Sequence, residues 1–138
     1  MPIARPAATS YLLAAMSFGR SNKTWHEIVD DRSLEMDRVI AQKLRANPKL
    51  VQIALANIER WLANPDYSES GRHAALEWKG IIENSSVEAL VTLLESSSEE
   101  ARRLRQSSPF CGILRPDERQ AIFRKYEALR DRACLASR

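Results

Sequence analysis

Glycine is scarce in this chain, with four residues among 138, and no stretch alternates apolar and polar positions with β-branched enrichment. The first shortage removes many of the tight turns that a sheet protein uses, and the second removes the strands themselves. Cysteine is also rare. Cys111 and Cys134 lack CxxC spacing, and the two histidines, His26 and His73, lie far apart, so no metal site is expected and both thiols should stay reduced. No apolar run approaches the length of a membrane span. The apolar patch near the start is broken by Ser17 and Gly19 with no cleavage site after it, which speaks against a signal peptide and leaves the cytoplasm as the expected compartment. The sequence also lacks a Gly-rich phosphate loop, a Gly-x-Ser-x-Gly elbow and a His-Glu-x-x-His pair, so neither an enzyme activity nor a cofactor has positive support.

What is present is helical material. The chain is 44% hydrophobic and 28% charged, which is ordinary for a folded domain, and its length suits one core rather than two. Charge is unevenly spread. Residues 1–100 hold 11 Lys and Arg against 14 Asp and Glu, whereas residues 101–138 hold 10 against 4, an acidic body followed by a basic end. Such an end favours nucleic acid or an acidic protein surface, unless its arginines merely solvate a helix face.

Periodicity predicts an all-α fold, an irregular bundle of about six to seven short helices without a sheet. Two prolines mark residues 1–8 as a loose tail, and residues 9–138 form a single helical domain. A short helix is expected over Ser10–Phe18, ended by Gly19. Thr24 can cap one turn carrying Trp25, Ile28 and Val29, and Asp31 or Ser33 can cap a separate helix to Ala46. Asn47-Pro48 should end that helix and start the next, which runs to Ala63 with Leu50, Val51, Ala54, Leu55, Ile58, Trp61 and Leu62 on one stripe. A further helix is expected over Ser70–Glu83, with Asn84 as its C-terminal cap. Ser85 with Glu88, and Ser97 with Glu100, fit capping boxes opening two more. Pro116, Asp117 and Glu118 suit the first turn of a last helix, whose buried face is Ile122, Phe123, Tyr126, Leu129 and Ala133.

One stretch departs from this regularity. In Arg102–Leu114, RRLRQSSPFCGIL, three arginines, two adjacent serines, a proline, a phenylalanine and a glycine fall between two helix signals. Arg102, Arg103, Arg105, Gln106, Ser107 and Ser108 could form an outward rim that binds a carboxylate or phosphate on a partner, with Arg119 and Arg124 of the last helix beside it. The packing alternative has Pro109 and Gly112 shaping a connection, Phe110, Ile113 and Leu114 plugging it into the core, and the arginines covering a helix end. Both can hold if the loop is rigid. The last helix, with Arg119, Gln120, Arg124, Lys125, Arg130 and Arg132, is also the better candidate for DNA phosphates, because the helix after Asn47-Pro48 offers few polar side chains to base edges.

Two resemblances bear on function. Arg20 and His26, with five residues between them, fit the loose Arg…His pattern of the HEPN ribonucleases, in which such a pair assists 2′-hydroxyl attack; here the pair sits early in the chain instead of opening a late helix. The segments AQKLRANPKLVQIALANIERWL, ALEWKGII and RRLRQSSPFCGILRPDERQAIFRKYEA together resemble small bacterial proteins that act as antitoxin-like partners in two-gene toxin–antitoxin modules, over about residues 34–128. That resemblance implies a noncatalytic protein that neutralises a cognate toxin by covering its active site, with repression of its own promoter as a second role. Its partner would be a protein; DNA is the alternative, a HEPN-like ribonuclease the third reading, and homo-oligomerisation stays open.

Overall fold

The computed structural model describes residues 24–136, with side chains through Arg132. The expected N-terminal tail and the helix Ser10–Phe18 lie outside the described residues, as do the side chains of Ala133 and Cys134. Among the described residues the chain is all-α, with six α-helices and no strand: α1 (Trp25–Ala46), α2 (Val51–Ala63), α3 (Glu69–Glu83), α4 (Val87–Glu95), α5 (Glu99–Arg105) and α6 (Pro116–Ala136), plus a 3-10 turn over Pro48–Leu50. They are not uniformly short, since α1 has 22 residues and α6 has 21.

The length of α1 corrects the expectation of a separate turn at Trp25 and a helix starting near Ser33. Thr24 is the cap: its hydroxyl accepts from the Glu27 amide at 3.2 Å while the Glu27 carboxylate accepts from the Thr24 amide at 3.1 Å. With both ends of that box closed, Asp30, Asp31 and Ser33 continue the helix instead of restarting it. Two other boundaries fall one residue later than expected. Ser86 and Ser98, not Ser85 and Ser97, cap α4 and α5, each hydroxyl accepting from the amide three residues on at 3.1 Å. Asn47 does end α1, and its side chain accepts from Lys49 N at 3.2 Å to open the next turn. Asn84 closes α3 as expected.

Helices α2 and α3 pack as a pair, while α1 lies against α4 on one side and α6 on the other. The main core gathers Ile40, Ala41 and Leu44 of α1, Ala54 and Ile58 of α2, Ala75, Trp78 and Ile82 of α3, and Leu90, Val91 and Leu94 of α4. Leu104, Phe110 and Ile113 close it from the other end of the chain. A smaller core, Ile28 with Ile122 and Tyr126, flanked by Met36, Val39 and Leu129, seals α1 to α6. Burial of each such large side chain is worth about 1.5 to 3 kcal/mol, which makes α1 the element that joins the two cores. The seam also has a polar clasp: Tyr126 Oη donates to Glu35 Oε1 at 2.7 Å, and Lys125 Nζ reaches the same oxygen at 2.8 Å. Burial acts to raise the Glu35 carboxyl, but these two hydrogen bonds outweigh it and hold the group below its ordinary range.

Candidate functional site

The connection from α5 to α6, residues 106–115, is held from three directions. Phe110, 1% exposed, meets the Trp78 ring edge-on at 5.5 Å and 82°. The Trp78 indole N–H donates to Leu104 O at 3.0 Å, so one side chain of α3 fixes both the end of α5 and the loop beyond it. Asn57 supplies the third hold. Its amide nitrogen donates to Pro109 O at 2.9 Å and Cys111 O at 2.8 Å, and its oxygen accepts from Arg60 at 2.6 Å. A buried amide with every group engaged stabilises the loop, whereas an unpaired one would cost it. Gly112 then turns the chain at φ +93°, in the left-handed region that side chains avoid. The apolar anchoring expected of Phe110 and Ile113 is therefore present.

The arginine rim takes a different form from the one expected. Arg105 does not face outward: its side chain is 7% exposed and pairs with Asp37, 8% exposed, at 3.1 Å across 68 residues of sequence. Its Nη2 donates to Ser96 O at 2.5 Å and Leu94 O at 3.4 Å, satisfying carbonyls at the end of α4. Burial pushes the Asp37 carboxyl up to about 6, against the pull of the Arg105 charge and hydrogen bond. Arg102 and Arg103 are exposed but internally matched. Arg102 meets Asp30 at 3.5 Å and Glu99 at 2.9 Å; Arg103 meets Glu77 at 2.6 Å and Glu100 at 2.8 Å. These pairs tie α5 to α1 and α3. Ser107 donates to Leu104 O at 3.4 Å, and Ser108 accepts from the Phe110 amide at 3.2 Å. Arg124 is exposed, its Nε donating to Gln120 O at 3.4 Å within its own helix.

What the fold brings together is a trough. Two adjoining cavities, about 490 and 410 Å³, share Ser33 and Arg105 and follow one face of α1. Positions Trp25, Val29, Ser33, Met36 and Ile40 recur every three to four residues along it, a run of roughly 22 Å at 1.5 Å per residue. The larger cavity lies between α1, the loop and the start of α6; Met36, Ile40, Phe110 and Leu114 supply its apolar lining, and Ser108, Cys111 and Arg119 its polar part. The smaller one carries His26, Asp30, Arg102 and Gln106. Of the residues predicted from sequence, Arg102, Arg105, Gln106, Ser108 and Arg119 thus border the trough, while Arg103, Ser107 and Arg124 do not line it. The α1 residues were missed, although Asp37 carried a signal: it is an acid on the same stripe as the apolar Ile40, Ala41 and Leu44.

The other sequence candidates are placed as follows. His26 is exposed in the first turn of α1, and Arg20 lies outside the described residues. Among the described residues no group of three or more His, Cys, Asp or Glu side chains could hold a metal ion, and no helix is long and apolar enough to cross a membrane. Around α6, Arg115 pairs with Asp117 at 3.1 Å, Lys125 with Glu35 at 2.8 Å and Arg130 with Asp131 at 3.4 Å. Arg119 and Arg124 differ, since no acid partners either among the described residues; the Arg119 guanidinium lies 4.8 Å from the Phe123 ring centre. No protein family, no curated protein and no solved structure matches the chain at a significant level.

Proposed function

We propose that this chain is a noncatalytic protein-binding module that holds a segment of a partner protein along the α1 trough. The observation that carries this reading is the shape and make-up of the site: an extended groove whose larger part has an apolar lining and whose smaller part is mostly polar, beside Arg102 and Arg103, which are already matched by acids of the fold. A helix or extended segment laid into such a groove buries apolar side chains while the rim sets register. In the antitoxin form of the reading the partner is a cognate toxin, and the bound segment would border its active site. The pairing of Lys125 with Glu35 and of Arg130 with Asp131 weighs against the alternative, a DNA regulator using α6, because paired cations release fewer counterions on meeting phosphates.

Coexpression with the product of the adjacent gene tests the reading. The two proteins should copurify as a stoichiometric complex that Met36→Arg disrupts without unfolding the chain. A partner that never copurifies, or a complex indifferent to Met36→Arg, would overturn it. Duplex DNA affinity falling steeply with salt would favour the regulator instead.

A further inference from the structure

The charges lining the larger cavity do not balance. Two arginines, Arg105 and Arg119, face one acid, Asp37, and Asp37 is already committed to Arg105 at 3.1 Å. Arg105 also serves two backbone carbonyls through Nη2, so its Nε and Nη2 are engaged inside the fold. Arg119 is in the opposite position. The Phe123 ring lies under its guanidinium at 4.8 Å, which leaves the N–H edge for another group, and no described acid pairs with it. Arg32 approaches the same ring at 4.3 Å with its buried Nε unbonded, adding a second unmatched cation near that end of the trough. A stacked guanidinium is held in place before a ligand arrives, so less side-chain freedom is lost when its edge donates to a carboxylate. Beside it, Met36, Ile40 and Leu114 offer an apolar recess in which the flexible methionine can adjust to shape.

Resting on the trough reading above, we infer that the partner segment presents an Asp or Glu carboxylate to Arg119 next to a bulky apolar side chain seated between Met36, Ile40 and Leu114. Electrostatic complementarity of this kind selects the partner and fixes its register in the groove. It also predicts that a basic segment of the same apolar content is rejected, since a cation there would meet Arg119 without compensation.

Selection of a random peptide library on the full chain tests this. Recovered peptides should carry an acid adjacent to Leu, Ile, Met or Phe, lose affinity with Met36→Arg, and bind Arg119→Ala about tenfold more weakly, as the loss of one charge-assisted pair implies. Selection on Arg119→Glu should yield basic residues in place of acidic ones. All three variants alter exposed or half-exposed side chains, and retained helical circular dichroism with a cooperative urea transition checks that they fold, the Met36→Arg midpoint being free to shift because Met36 flanks the smaller core. Peptides that need Met36 but show no acidic preference, or bind Arg119→Ala as tightly as the wild type, overturn the inference and leave the trough reading standing. Recovery of no peptide sensitive to Met36→Arg overturns both.

Discussion

Replacing Arg105 by alanine should destabilise the fold by about 3 to 5 kcal/mol, because it strands the buried Asp37 carboxylate without its cation. Two contributions make up the loss. One is the broken pair itself, and the other is the pair of carbonyls, Leu94 O and Ser96 O, that lose their guanidinium donor, together about 1 to 3 kcal/mol. The double variant Asp37→Leu with Arg105→Met separates them. It removes both charges and keeps apolar volume, so it should recover the first contribution and leave the second. The loss in the single variant should also grow with pH, since the lone carboxyl can be buried only when protonated, and protonating it becomes costlier from pH 5 to pH 8. Urea unfolding followed by helical circular dichroism at the two pH values measures all of this. An Arg105→Ala protein within about 1 kcal/mol of the wild type at pH 8 would refute the claim that this arginine belongs to the interior.

Other perturbations test other joints. Asp37 titrates near 6 in the folded chain against an ordinary 3.8, so its contribution to stability is greatest at low pH and declines by about 3 kcal/mol as pH rises from about 4 to about 6.5; the difference between wild type and Asp37→Asn, measured across that range, should show the slope. A flat difference would mean that Asp37 ionises normally. Phe110→Ala removes a ring that is 1% exposed and stacked edge-on against Trp78, and should cost about 3 to 5 kcal/mol in the same unfolding assay. Gly112→Ala meets only ordinary contact at Ile53, 3.8 Å away, so its cost of about 1 to 3 kcal/mol reflects the positive φ alone, and a neutral result would show that the turn can relax.

The helical class, the apolar stripes and the breaks at Asn47-Pro48 and Asn84 were legible in the sequence because each depends on neighbours within one or two turns. Where caps were misplaced, at Ser86 and Ser98, adjacent serines offered the same hydroxyl, and only packing chose between them. The continuous α1 was hidden by Asp31 and Ser33, which read as caps until Thr24 and Glu27 are seen to close the end earlier. The candidate site was the least legible part. The loop was found by its composition, but the wall facing it comes from α1, and the Asp37–Arg105 pair spans 68 residues. Periodicity carries no information about which distant helix faces which. Two polar residues inside apolar stripes, Asp37 and Asn57, were the traces that long-range contact left in the local pattern, and both proved to hold the loop or the arginine beside it.

The position of α1 between two cores has a consequence for how the protein is made. Of the described helices α1 leaves the ribosome first, yet its buried face is covered by α4 and α6, which are synthesised later. Helices α2 and α3 can pair as soon as both exist, but Ile28 gains its partners Ile122 and Tyr126 only when nearly the whole described chain has emerged, on the order of ten seconds later at ordinary translation rates. Ile40 and Leu44 are covered once α4 has emerged, but until α6 follows α1 leaves Ile28 exposed. The first of the described helices to be made is the last to be fully buried, and a nascent chain stalled before α6 would carry Ile28 unprotected.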